Sequence, residues 1–288
     1  MSSNYGELLD ATIQHLESLK ARGVRNVAVS PETLRALALP AKSIQFQVSS
    51  VQPAAPVRPV EVKNEVPVVI PVPKPAEPKT AGLKLEAFNA LRERALVCVK
   101  CPNLASSRKN VVFGVGNIDA DLMFVGEAPG VDEDAQGEPF VGKAGELLTK
   151  IITATGLRRD DVYIANILKC RPDTPGQNAG NRKPTPAEMQ TCIPYLHEQI
   201  DLIKPRVLVA LGGTAVEGLL GKTLGIMKLR GNWQTYRNIP LMPTYHPAYL
   251  LRNQAMSEKR RVWEDMLAVM EKLGLPISEK QRNYFLKG

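Results

Sequence analysis

The chain has no stretch approaching the roughly 20 consecutive apolar residues that a membrane span requires, so no membrane role is expected. Met1 to Asp10 also lack the basic segment and apolar core of a secretory signal. The expected compartment is therefore the cytoplasm. Cysteine is scarce, with four in 288 residues. Without an export route those four are expected as metal ligands or free thiols rather than disulfides. No internal repeat is evident. Acidic charge is the scarcer sign: 29 Asp and Glu face 37 Lys and Arg, for a net charge of +8. A basic balance of that size fits a polyanionic partner, because Lys and Arg that neutralise phosphates release counterions.

What is present divides into three parts. Leu8, Leu9, Ile13, Leu16 and Leu19 recur at helical spacing, and Ser30-Pro31-Glu32 has a helix-start signature. Residues 1–40 are thus expected as a helical segment, either a plain surface pair or a docking element for a partner protein. Eight prolines then fall within residues 51–80, which favours extended polyproline II and a semi-rigid linker over 41–82. From Leu83 onward apolar runs at 121–125, 162–166, 206–211 and 239–244 alternate with helical patterns at 143–156, 186–203, 213–220 and 258–273. Alternation of this kind predicts an α/β domain over 83–288, a three-layer α/β/α sandwich around a mostly parallel sheet.

Two loops stand out. Gly126-Glu127-Ala128-Pro129-Gly130 directly follows the run Leu122-Met123-Phe124-Val125, and His246-Pro247-Ala248-Tyr249-Leu250-Leu251-Arg252 follows another apolar run. Each reads as a buried strand ending in a sharp turn, where open α/β sheets place their ligand sites. Glycines there let the backbone approach a planar ligand, and Phe140 offers a ring to stack on a base. Asp132, Glu133 and Asp134 could form only a solvated acidic turn. Asn166 ends its strand, and taken alone it could cap a turn. Val207 to Ala215 looks like a core strand entering a helix, with glycines too weak a signal for a phosphate loop. Trp233 and Trp263 are expected in the core.

Cys98-Val99-Lys100-Cys101 is a Cys-x-x-Cys pair, followed by Cys170 and Cys192. Four ligands suit tetrahedral zinc or a four-iron cluster, and the spacing alone does not separate them.

Together these motifs resemble the uracil-DNA glycosylase superfamily, in particular its iron–sulfur family, the fourth, found in bacteria and archaea. The resemblance covers roughly residues 85–275. It implies an enzyme that hydrolyses the N-glycosidic bond of deoxyuridine in DNA for base excision repair. It also implies a [4Fe–4S] cluster on Cys98, Cys101, Cys170 and Cys192, the third in a Lys169-Cys170-Arg171-Pro172 context, with zinc as the lesser alternative. The interval from Cys170 to Cys192 is longer than the family's, through added residues around 173–180.

The resemblance further assigns roles. Glu127 and Ala128 would line the pocket with backbone groups, Glu133 would crowd the position of a thymine methyl, and Phe140 would stack on the flipped base. Asn166 would read one edge of uracil, accepting from N3–H and donating to O4. His246 would donate to uracil O2, where negative charge grows as the bond breaks. Leu250 or Leu251 would enter the duplex and Arg252 would meet a phosphate. Lys143, Lys169, Arg171, Arg182 and Lys183 are further candidate DNA contacts. The best-known sister family has a carboxylate at the position of Ala128, so the motif names no water-activating base; adjacent Glu127 is the candidate. A dissociative mechanism is expected, catalysed mainly at the leaving group. A covalent uracil-trapping relative is disfavoured, since no additional basic, histidine-bearing loop follows the first motif. The rival expectation is a non-catalytic, glycosylase-like DNA-binding module serving a polymerase or repair partner. The chain is expected to be a monomer.

Overall fold

The computed structural model describes residues 78–172, 182–221 and 225–286. The chain divides between Ile70 and Pro71 into two units, and every described residue lies in the second. The expectations for 1–40, for 41–77 and for the added residues 173–180 fall outside the described residues. The last part of the expected linker is helical: α1 spans Pro78–Leu96. A proline is accommodated in a first helical turn, where its missing N–H would have no partner, so Pro78 opens a helix rather than extending the linker.

Six strands form one sheet in the order β1-β3-β2-β4-β6-β5. They are β1 (Val115–Gly116), β2 (Leu122–Gly126), β3 (Tyr163–Asn166), β4 (Val207–Leu211), β5 (Gln234–Tyr236) and β6 (Ile239–Thr244). The inner four run parallel, while β1 and β5 pair antiparallel at the two edges.

Side-chain alternation sorts the sheet residues into two cores. Met123, Val125, Tyr163, Ala165, Leu208 and Ala210 face Phe88 and Leu91 of α1, together with α5 (Pro186–Ile203) and α6 (Gly213–Leu220). Leu122, Phe124, Ile164, Val207, Val209 and Met242 face α4 (Lys143–Ala154) and α9 (Met256–Leu273). Burial on both faces explains why these strands are continuous apolar runs rather than alternating ones. The three-layer α/β/α arrangement is the one expected. Among the described residues no helix is long and apolar enough to cross a membrane.

The remaining short helices are α2 (Pro102–Ser107), α3 (Val131–Gln136), α7 (Ile226–Leu229), α8 (Pro247–Arg252) and α10 (Glu279–Arg282). Because β2, β3, β4 and β6 are parallel, their carboxyl ends lie along one edge. Gly126, Asn166, Gly212 and the residues after Thr244 therefore reach the same rim.

Candidate nucleobase site

The segment after β2 is organised by acidic residues of α3. Glu133 accepts from the backbone N–H of Gly130 (3.0 Å), Val141 (3.0 Å) and Gly142 (3.1 Å), which clamps both ends of the loop to one carboxylate. Asp134 is buried and accepts from Lys109 N–H at 3.0 Å and Asn110 N–H at 3.3 Å. Two of the three acidic residues thus organise backbone and do not form a solvated turn. Phe140 leaves this loop in the left-handed region (φ 54°) and is buried. Its carbonyl passes so close to α4 that a Cβ on Gly145 would lie 1.8 Å from it. A Cβ on Gly126 would lie 2.6 Å from the Phe140 ring and 2.4 Å from Asn166 Oδ1. Glycine at these two positions is what lets the ring and the amide meet.

Asn166 is 2% exposed, and its Oδ1 is a buried acceptor with no hydrogen-bond partner among the described residues. A buried polar atom left unpaired costs about 1–3 kcal/mol, so in a folded protein it points to a ligand group that completes it. The recess it faces is lined by Ala128, Glu133, Phe140 and His246 among others.

His246 caps the amino end of α8. Its Nδ1 accepts from the Ala248 N–H at 3.1 Å, and Pro247 follows at the first helical position. An amide N–H can only donate, so Nδ1 carries a lone pair and the single imidazole proton sits on Nε2. Burial lowers the His246 pKa to about 4; nearby Arg252 pushes the same way, and Glu133 opposes it. The imidazole is therefore a neutral donor at physiological pH. Its ring centre lies 5.6 Å from that of Phe140, tilted by 30°.

His246 also lines a second, more polar recess, together with Glu127, Ala128, Arg182, Gly212, Gly213 and Arg252 among others. Glu127 is the only carboxylate on that wall among the described residues. Gly212 (φ 92°) approaches His246 so closely that a Cβ there would meet the histidine Cβ at 3.0 Å. The glycines after β4, too weak a signal in the sequence for a phosphate loop, thus line this recess beside His246.

Several expected DNA contacts sit elsewhere. Lys169 is 2% exposed, and its ammonium donates to Asn166 O (3.0 Å) and Gln199 Oε1 (2.6 Å), so it faces the interior and not a phosphate. Burial pulls its pKa down to about 8. Leu250 is buried with Tyr245 and Val262, whereas Leu251 is 40% exposed; of the pair, only Leu251 is free to enter a duplex. On a helix, adjacent residues point about 100° apart, so one of the two had to turn inward. Arg182 makes a bidentate pair with Glu188 (2.6 and 2.8 Å) and Lys183 pairs with Glu217 (2.6 Å). Arg171 is half-buried, and Lys143 and Arg252 are exposed. Trp263 is core as expected, but Trp233 is 38% exposed, with the Lys272 ammonium 5.8 Å from its ring.

The four cysteines converge from three elements and a loop. Cys98 follows α1, Cys101 caps α2, Cys170 follows β3 and Cys192 lies on α5. All are free thiols, and all line one cavity with Leu104, Arg108, Leu168 and Thr191. Two donors are aimed at sulfur: Arg108 Nη1 at Cys170 (3.1 Å) and the Lys169 N–H at Cys192 (3.3 Å). Donors of that kind suit thiolates. Among the described residues no three metal-binding side chains are drawn together for a single ion. Burial pushes the thiols of Cys101 and Cys170 up, and that of Cys192 to about 12.

A buried aromatic ring, an orphaned amide acceptor and a neutral imidazole donor surround one recess at the sheet's carboxyl rim, a setting whose polarity and shape suit a flat, N–H-bearing heterocycle. The uracil DNA glycosylase superfamily matches residues 113–267. A type-4 uracil-DNA glycosylase of Thermotoga maritima is 46% identical over 185 residues, covering 63% of this chain and 92% of its own. Those of Archaeoglobus fulgidus and Sulfurisphaera tokodaii are 40% and 38% identical, over 61% and 71% of this chain and 88% and 92% of theirs. The chain belongs to the uracil-DNA glycosylase superfamily, among its type-4 members.

Proposed function

We propose that the protein hydrolyses the N-glycosidic bond of deoxyuridine in DNA, releasing uracil and leaving an abasic site. The observation that carries this reading is the unpaired, buried Asn166 Oδ1. Uracil N3–H is a donor of the right polarity for it, whereas cytosine N3 is an acceptor and would leave both atoms unsatisfied. Asn166 reads that edge, Phe140 stacks on the base, and Ala128 and Glu133 close the recess around it. The base arrives there after rotating out of the helix, and mismatched uracil is the cheapest to extrude. Leu251 fills the vacated space, and Arg252 meets a flanking phosphate.

His246 acts on the leaving group. As the glycosidic bond breaks, negative charge spreads onto the uracil, and the Nε2–H donates to O2 where that charge accumulates. One preorganised donor of this type is worth about 3–4 kcal/mol of barrier. A neutral donor is suited to the task, because it strengthens with the developing charge while the Ala248 N–H keeps its tautomer fixed. Water enters from the second recess, where Glu127 orients it toward the oxocarbenium-like sugar.

Cys98, Cys101, Cys170 and Cys192 would hold a [4Fe–4S] cluster. Their shared cavity and the donors aimed at sulfur support a thiolate-held group, and the resemblance to the iron–sulfur family favours a cluster over one zinc. The cluster would supply a cross-link and a local negative charge. It would tie the loop carrying Arg171 to α1, α2 and α5.

The test is incubation of iron-replete protein with labelled oligonucleotides bearing uracil in single strands, in U·A and in U·G, followed by alkali. Strand cleavage at the uracil position is expected in all three. No release from any of them would overturn the assignment and favour a non-catalytic DNA-binding module.

A further inference from the structure

One side chain spans the interval between Asn166 and the cysteine centre. Lys169 is a buried cation whose ammonium contacts are neutral: Asn166 O at 3.0 Å, Gln199 Oε1 at 2.6 Å and the Phe113 ring at 5.8 Å. Gln199 is itself fixed, donating to Phe113 O at 3.0 Å and to the Tyr163 hydroxyl at 3.1 Å. The pairing of β1 stops at Ile164, so two residues further on a side chain holds the backbone of Asn166. The main chain of Lys169 faces the other way. Its N–H donates to Cys192 Sγ at 3.3 Å, and its carbonyl accepts from Val112 N–H at 2.8 Å.

A buried ammonium without a counter-charge is expensive. Among the described residues no carboxylate forms an ion pair with it, and the acidic side chain that its residue contacts is Cys192, through the Lys169 N–H at 3.3 Å. Four thiolates around a metal group would place net negative charge in the adjoining cavity. That charge accounts for a lysine where an apolar residue would otherwise pack.

We propose that Lys169 is a positioning residue: it is the counter-cation of the four-cysteine centre and, through the Asn166 carbonyl, fixes the backbone from which the base-reading amide projects. This deepens the reading of Asn166 given above and rests on it. The centre thereby acts on base recognition directly, beyond stapling the fold.

Two measurements on the full, iron-loaded chain test it. In a double-mutant cycle, Lys169→Met is expected to lower kcat/KM about tenfold or more alone, but less than about twofold when Asn166 is already alanine, because members of one network are non-additive. Equal losses in both backgrounds would show a general structural role and overturn the link to Asn166. Independently of activity, the midpoint potential of the centre is expected to fall in Lys169→Met and to return in Lys169→Arg, since a nearby cation favours the reduced, more negative state. An unchanged potential at equal iron content overturns the counter-cation. If Lys169→Met does not fold, Lys169→Gln carries both measurements. If the wild-type chain releases no uracil, the glycosylase reading fails while the potential still decides on Lys169.

Discussion

At the residue scale the chemistry turns on which proton His246 holds. Its Nδ1 is engaged by the Ala248 N–H, so a second proton on the ring breaks the cap of α8 as well as charging a buried group. Excision is therefore expected to stay level from about pH 7 down to about pH 5 and, on the acid side, to change only as the imidazole titrates near 4. A bell centred on the ordinary histidine range would contradict the neutral donor. The same shift bears on stability. The folded form holds fewer protons on this group than the unfolded form between about 4 and 6.5, so stability rises with pH across that window and is lost as pH falls through it. The whole effect is at most about 3 kcal/mol. Denaturant midpoints of wild type and His246→Gln should converge at low pH, wild type losing its lead.

Elements bring these residues together, and two substitutions separate packing from function. Gly145→Ala places a methyl against the Phe140 carbonyl. It should displace the ring and destabilise the protein by about 1–3 kcal/mol, the range of overpacked sites, with a lower Tm and weaker binding of uracil DNA. Along α8 the adjacent leucines should behave oppositely. Leu250→Ala should cost about 2–5 kcal/mol of stability, whereas Leu251→Ala should leave Tm unchanged and reduce excision from duplexes more than from single strands. Equal effects of the two on duplex excision would contradict the placement of Leu251.

This is also the scale at which the sequence was most legible. The inner strands are buried on both faces, so they stand out as apolar runs, and their ends fall within about a residue of the expected ones. Helix α5 opens as Thr185-Pro186, with Thr185 accepting from the Glu188 N–H, a start readable without coordinates. The edge strands β1 and β5 were not legible, being two and three residues long without an apolar pattern. The local motifs located Asn166, Phe140 and His246 at the recess. The inward turns of Lys169 and Leu250 were not readable, because they depend on partners such as Gln199 and Val262 that lie at a distance along the chain. A lysine beside a motif reads as a phosphate contact until its burial is known.

Over the whole molecule, the sheet gathers the site on one rim while the cysteine centre joins α1, α2, α5 and the loop after β3. If the cysteines hold iron as proposed, removing it with a chelator should lower Tm, and reloading should take up iron with release of protons from the buried thiols. Iron uptake without proton release, or an unaltered Tm after complete iron loss, would contradict a cysteine-held group.

The central claim is that Asn166 binds the base and His246 drives its departure. Single-turnover excision of uracil by wild type and His246→Gln, measured beside their affinity for an uncleavable deoxyuridine analogue, addresses it most directly. The account predicts a rate lower by about 10²–10³ with affinity nearly unchanged, since the donor matters most when charge has developed. A variant that binds far more weakly yet cleaves at the wild-type rate once saturated would contradict it.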